Sequence, residues 1–297
     1  MVVTGWTQPR LAQQLGVTFA SLNRWLNRHA VPHPAMRQAI LALYKAEVGI
    51  IPLPADVLAR ALKKLDREKP KHPAPAKLLA TSQGLRDDLL LELTYNSNAI
   101  EGSTLTKKQT EAVIFDKASL PDKSLVEQLE ATNHAFTLNR IFDGDYSGPI
   151  TEKTIKELHR MVLQGISADA GRYSKHHRAI RGVRLRLPAP EDIQEEMDHL
   201  LKRINKPRGH IIGHIARMHA AFEAIHPFGD GNGRVGRLIM AIQLINAGYP
   251  PPVIENERKA DYYDALEAAQ QRSDTHLSMF LAESIQRGYS IFRKHHR

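Results

Sequence analysis

At 297 residues the chain is about twice a typical single-domain length, enough for one large domain or a main domain with a smaller one. Its 42% hydrophobic and 25% charged residues exclude a collagenous, coiled-coil or wholly disordered chain. The absence of cysteine excludes disulfides, thiolate zinc sites, iron–sulfur clusters and a cysteine nucleophile.

No apolar run approaches the roughly 18 residues of a membrane span, and residues 1–10 lack the pattern of an export signal. The expectation is a soluble, cytoplasmic protein. The formal charge of +9 is uneven along the chain. Residues 1–50 hold five Lys/Arg against Glu47 alone, and residues 51–80 hold seven against Asp56, Asp66 and Glu68. The first quarter is thus suited to a polyanion, while the rest is nearly neutral.

In chain order, Pro9 suits a first helical position, Leu11, Ala12 and Leu15 form one apolar face, and Gly16 is a left-handed stop. A second helix follows, with Val17, Leu22, Trp25 and Leu26 in a shared core, and a third covers 35–44. This pattern resembles the helix-turn-helix of phage-repressor-type regulators. The resemblance implies a second helix in the DNA major groove, with Thr18, Ser21, Asn23, Arg24 and Arg28 as contacts and Asn23 and Arg24 on base edges. Half-site recognition would ask for a homodimer. A helical hairpin packed on the main domain or on a protein partner accounts for the same spacing.

Pro70, Pro73 and Pro75 preclude a continuous helix and favour an extended linker. The expected divisions are a DNA-binding domain at 1–50, a basic, Pro-rich linker at 51–82 and a main domain at 83–297. Helical periodicity then covers 85–98, 107–115, 124–142, 151–165, 190–204, 210–225, 234–248, 260–271 and 275–296. The best strand signal is 173–187, where Gly182 sits as a small hairpin requires. The fold class is mainly α with one short hairpin.

The chemistry concentrates in residues 226–237, which read His, Pro, Phe, Gly, Asp, Gly, Asn, Gly, Arg, Val, Gly, Arg. Gly229, Gly231 and Gly233, interleaved with Asp230 and Asn232, free the backbone to turn its amides toward one point. The apolar run that follows opens a helix whose unpaired amides face the same point, which makes an anion cradle. Arg234 and Arg237 add charge-assisted bonds to phosphate oxygens. Asp230 is the oxygen ligand that a divalent cation bridging two phosphates needs. His226, with a reference pKa of about 6.5, is a base for a hydroxyl nucleophile.

Other uses of these residues fit less well. Residues 231–236 satisfy G-x-G-x-x-G, yet they follow a helical run rather than the strand of a dinucleotide fold. No phosphate loop of the G-x-x-x-x-G-K-[ST] type is present. His210 and His214 are one turn apart without the rest of a zinc motif. A plain connecting loop explains neither the arginines nor the aspartate.

Residues 226–237 resemble the Fic-family signature H-P-F-x-[DE]-G-N-G-R-x-x-R at every fixed position, with similarity over roughly 83–285. The resemblance implies a Fic-type helical core with a small β-hairpin flap. It also implies transfer of AMP from ATP, with Mg2+, to a Tyr, Thr or Ser hydroxyl of a target protein and of the enzyme itself. His226 would deprotonate the hydroxyl, and Asp230 would hold magnesium. Gly229, Gly231, Asn232, Gly233 and Arg234 would grip the α and β phosphates, and Arg237 the γ phosphate. Gly233, where a phosphorylating branch has Lys, favours adenylylation.

The hairpin 175–187 corresponds to the flap that holds the target by strand addition, with Ser174 where Arg is common and a polar arm at His176, His177 and Arg178. Glu101, just before Gly102, opposes the dipole of its own helix. The family pattern [ST]-x-x-x-E-[GN], here opened by Ser97, marks an inhibitory helix whose Glu pairs with Arg237 and, in some relatives, also positions water to remove AMP. The alternative is a DNA-binding regulator whose Fic core senses nucleotide without turnover.

Overall fold

Apolar residues at three-to-four spacing, with Ser, Thr or Pro at many starts, build fourteen α-helices in a computed structural model that describes residues 5–48, 53–178, 187–271 and 273–295. The chain divides into two units, Met1–Pro54 and Ala55–Arg297.

The first unit holds α1 (Gln8–Gln14), α2 (Phe19–Leu26) and α3 (Pro34–Val48). Proline lies in the first turn of α1, and Gly16, at φ +64°, turns the chain toward α2. The Thr18 hydroxyl caps α2 by accepting the Ser21 amide at 3.1 Å. Ala12, Leu15 and Leu22 form a small core, flanked by Trp25, Met36 and Ile40. Two expectations are corrected. Leu26 is 43% exposed rather than part of that core. Arg28 lies beyond α2 in left-handed backbone at φ 60°, because Asn27 turns its side-chain amide back onto Asn23 and closes the helix first.

The second unit corrects the expected linker. Residues 55–81 form α4 (Ala55–Glu68), a 3-10 turn at Lys69–Lys71 and α5 (Pro75–Thr81). The prolines break this stretch into pieces without making it extended. Ala61, Leu62 and Leu65 recur at helical spacing and pack into the core of this unit, Leu65 with no exposure. Polar bonds add to the docking: Asp66 accepts the Tyr249 hydroxyl at 2.7 Å, and Lys69 donates to the Ala247 carbonyl at 2.7 Å.

The remaining helices are α6 (Gln83–Glu101), α7 (Lys107–Phe115), α8 (Leu125–Phe142), α9 (Glu152–Val162) and α10 (Ile193–Ile204). They are followed by α11 (Ile211–Ile225), α12 (Asn232–Asn246), α13 (Lys259–Gln270) and α14 (Thr275–His295). No strand occurs among the described residues. The expected hairpin falls largely on residues 179–186, outside the described ones.

Two apolar clusters share α11 and α12. Phe222, Ile225, Val235, Leu238 and Ile242 face one, while Ile212, Ile215, Ala220, Met240 and Leu244 face the other. Buried on most sides, this helix pair is the axis of the unit. Gly236 lies where α11 comes closest to α12, since a Cβ there would stand 2.6 Å from Glu223 Oε1 and 2.9 Å from His219 Cε1. The loop of residues 226–231 joins the pair.

Candidate active site

Helix α11 ends on His226, which adopts left-handed backbone at φ 50° and ψ 58°. Such a conformation is strained for a residue with a Cβ and persists only where the surroundings hold it. Contacts from Asn232 and His159 hold this loop. Asn232 accepts the Phe228 amide and donates to the Phe228 carbonyl, both at 2.9 Å. The Asn232 side chain thus braces the loop, and the residue offers an anion its backbone amide in the first turn of α12. His159 of α9 accepts the Gly171 amide on Nδ1 at 2.8 Å, so Nε2 carries the proton and donates to the Asp230 carbonyl at 3.0 Å. Its ring also stacks on Phe228 at 3.7 Å. Burial pulls the His159 pKa down to about 4 and keeps the ring neutral.

Gly231, at φ 75°, opens α12, whose first amides have no acceptor within the helix. Near this positive end stand two buried arginines that take separate partners. Arg234 donates Nη1 to Glu130 of α8 at 2.5 Å and Nη2 to Asp230 at 3.3 Å. Arg237 donates Nε to the Ser97 hydroxyl and Nη2 to the Ser97 carbonyl, both at 2.9 Å, and Nη2 to Glu101 at 2.7 Å. Burial works against the charge on Arg237, and Glu101 more than restores it, so its pKa is raised. Glu101 also lies against the opening of α12, because a Cβ on Gly233 would stand 2.2 Å from its Oε1. A carboxylate thus rests where the helix terminus and Arg237 offer charge to an anion.

His226 is partly buried, which lowers its pKa and leaves the imidazole neutral at pH 7. Its Nδ1 lies 3.9 Å from Glu223 Oε2. Glu223 is fully enclosed, and burial, helped by repulsion from Glu101 and opposed by Arg237, pushes its pKa up to about 8. Asp230 presents a carboxylate 67% exposed at the loop. Gly229 is exposed beside His226.

Sequence reasoning missed His159, Glu130 and Glu223. His159 left a signal, a polar residue on the apolar face that Ile155, Leu158 and Val162 mark out. Glu130 left none, because only the packing of α8 brings it to Arg234. Of the residues expected on DNA, Ser21 and Asn23 of α2 are half-buried, Arg24 and Arg28 are exposed, and Thr18 is committed to its cap.

Residues 149–244 match the model of the Fic/DOC family. The chain is 33% identical to a protein adenylyltransferase Fic of Nematostella vectensis, covering 76% of this chain and 54% of the relative. It is 28% identical to one of Aedes aegypti, covering 77% and 48%. The chain therefore spans about half the length of these relatives. A Fic-domain-containing signaling protein of Bacteroides thetaiotaomicron superposes with a TM-score of 0.67 at 27% identity, over 77% of this chain and 95% of that one. Fic-1 of C. elegans shares the fold at 0.67 and 24% identity, over 88% and 77%. With the HPF loop braced on Asn232 and His159 and the helix pair it joins, residues 149–244 are similar to domains of the Fic/DOC family.

Proposed function

We propose that the protein is a protein adenylyltransferase that moves AMP from ATP to a Tyr, Thr or Ser hydroxyl of a target protein and of itself. The observation that carries this is a neutral imidazole, His226, at the mouth of an anion cradle formed by the first turn of α12 with Arg234 and Arg237. His226 takes the hydroxyl proton as the oxygen attacks the α phosphorus. The bond from that phosphorus to the bridging oxygen breaks, and pyrophosphate leaves with the electron pair. Amides of α12 and the arginines hold the phosphates and stabilise the charge that develops on them.

Asp230 fits Mg2+, since an exposed carboxylate next to the phosphate cradle suits an ion that keeps waters and takes its other oxygens from the nucleotide. The ion would supply charge neutralisation on the phosphates.

Glu101 is the brake. Its carboxylate on Arg237 and against Gly233 competes with the γ phosphate, so that ATP binds in a pose unfit for attack. Ser97 supports the brake by holding the guanidinium from the same helix. The test is label transfer from α-labelled ATP with Mg2+ to the protein and to a lysate, using wild type, Glu101→Gly, and Glu101→Gly with His226→Ala. Labelling confined to Glu101→Gly supports both chemistry and brake. Silence in all three, with ATP still bound, replaces them with a nucleotide sensor that does not turn over.

We further propose that the first unit binds DNA as a helix-turn-helix, in a homodimer. Support comes from the excess of basic residues in 1–50 and from the exposed Arg24 and Arg28 at and beyond the end of α2. Arg24→Ala should weaken binding to selected operator DNA by about tenfold. Equal binding by wild type and variant at several salt concentrations rejects a role for α2.

A further inference from the structure

The segment leaving α9 folds beside His226 and walls a cavity of about 400 Å3, which His226 and Gly229 line on one side. Its remaining wall is rich in cations. Arg172, Lys175 and Arg178 line it, and Asp169 is its carboxylate among the described residues. Arg178 is anchored through Nη2, which donates to the Pro188 carbonyl at 2.7 Å, while its Nε and Nη1 are buried without a partner. Burial draws its pKa down, and no carboxylate opposes that effect. The adjoining sequence offers it no anion either, since residues 175–187 contain five Lys/Arg and neither Asp nor Glu.

A guanidinium withdrawn from water without a counter-ion is costly. Nε and Nη1 lie on different edges of the guanidinium, and each offers a separate N–H to an oxygen of a bound anion. Of the residues expected on the triphosphate, Gly229 lines this cavity while Gly231, Asn232, Gly233, Arg234 and Arg237 do not, which sets the cavity beside the phosphate cradle rather than in it. What the cavity shares with the reaction centre is His226, the group that receives the acceptor's proton.

We propose that this cavity is the acceptor subsite and that it takes a protein segment with an aspartate or glutamate within one or two residues of the modified hydroxyl, the carboxylate lying on Arg178. The inference deepens the transferase reading and rests on it. It accounts for the polar arm of His176, His177 and Arg178, where strand addition alone would ask for no charge. The cations would choose among acceptor segments.

The experiment uses the full chain carrying Glu101→Gly and two peptides of equal length, with the central Tyr flanked by Glu in one and by Gln in the other. Labelling rates are measured with ATP and Mg2+, and affinities by fluorescence anisotropy without nucleotide. The Glu peptide should bind and react at least about tenfold better. Arg178→Gln should bring that ratio close to one while ATP affinity, read by calorimetry, stays the same. Arg178→Glu should prefer a Lys-flanked peptide, a gain that a misfolded variant could not show.

Equal handling of the two peptides by the Glu101→Gly protein, or binding of neither, overturns the proposal. So does a fall in ATP affinity in Arg178→Gln with the peptide ratio intact, which would assign the cations to the nucleotide. If no variant transfers label even to itself, the transferase reading fails, and the anisotropy ratio still decides whether the cavity selects acidic segments.

Discussion

Replacing Glu223 by Gln should stabilise the protein, increasingly so as pH rises. In the fold the Glu223 pKa is pushed from 4.5 to about 8, with burial the main cause and Glu101 the second. A carboxyl with a raised pKa keeps its proton in the fold over that window, while the unfolded chain has already released it. The fold therefore loses about 1.4 kcal/mol per pH unit between those two values. Across the window the ceiling is about 5 kcal/mol, and relaxation around the ionised group brings the working figure to about 2–4 kcal/mol. Gln has nearly the same volume and no charge at any pH. Its advantage should be near zero at about pH 4.5 and reach those few kcal/mol at about pH 8.

The assay is urea unfolding at several pH values, since urea leaves ionic strength unchanged. Far-UV circular dichroism is the proper probe, because both tryptophans, Trp6 and Trp25, lie in the Met1–Pro54 unit and not in the unit that holds Glu223. Parallel stability curves for wild type and Glu223→Gln, or a gain largest in acid, would refute the reasoning. A further control is Glu101→Gln, which removes the second cause and should move the wild-type slope to lower pH.

Glu101→Gly frees Arg237 from a bond of 2.7 Å; a charged hydrogen bond of this kind contributes about 1.5–3 kcal/mol, so ATP should bind about 10- to 100-fold tighter by calorimetry. Gly233→Ala should cost about 1–3 kcal/mol in wild type, where its Cβ meets the Glu101 carboxylate, and less beside Glu101→Gly, where only the end of the Arg237 side chain, 3.0 Å away, must give. A double-mutant cycle by chemical denaturation reads that coupling, and additive costs would reject the contact. His159→Ala removes the Phe228 stack and orphans the Gly171 amide and the Asp230 carbonyl, for a loss of about 3 kcal/mol in chemical denaturation. Because the folded pKa of His159 is lowered from 6.5 to about 4, its contribution is complete above about pH 6.5 and is lost as pH falls from there toward 4. Tryptophan fluorescence and circular dichroism should give separate thermal transitions for the two units; coincident curves would show a single cooperative block.

The sequence by itself determined the local features: the helices of the second unit, the left-handed stop at Gly16, and the glycine-rich turn that opens α12. Each depends on side chains within a few positions of one another, where periodicity and φ preferences act directly. It misjudged α4, because the prolines and charges near residue 70 hid the stripe of Ala61, Leu62 and Leu65, whose burial depends on a core made elsewhere. The Glu101–Arg237 pair, 136 positions apart, was expected from the family pattern and not from local spacing. Only the tertiary structure decided the Glu130–Arg234 and His159–Asp230 pairs, which join residues 104 and 71 positions apart. The enclosure of Glu223 depends on how closely α11 and α12 cross at Gly236. Such distances and burials follow from the packing of helices against one another, and helix packing sets the desolvation that shifts the pKa values of His226 and Glu223.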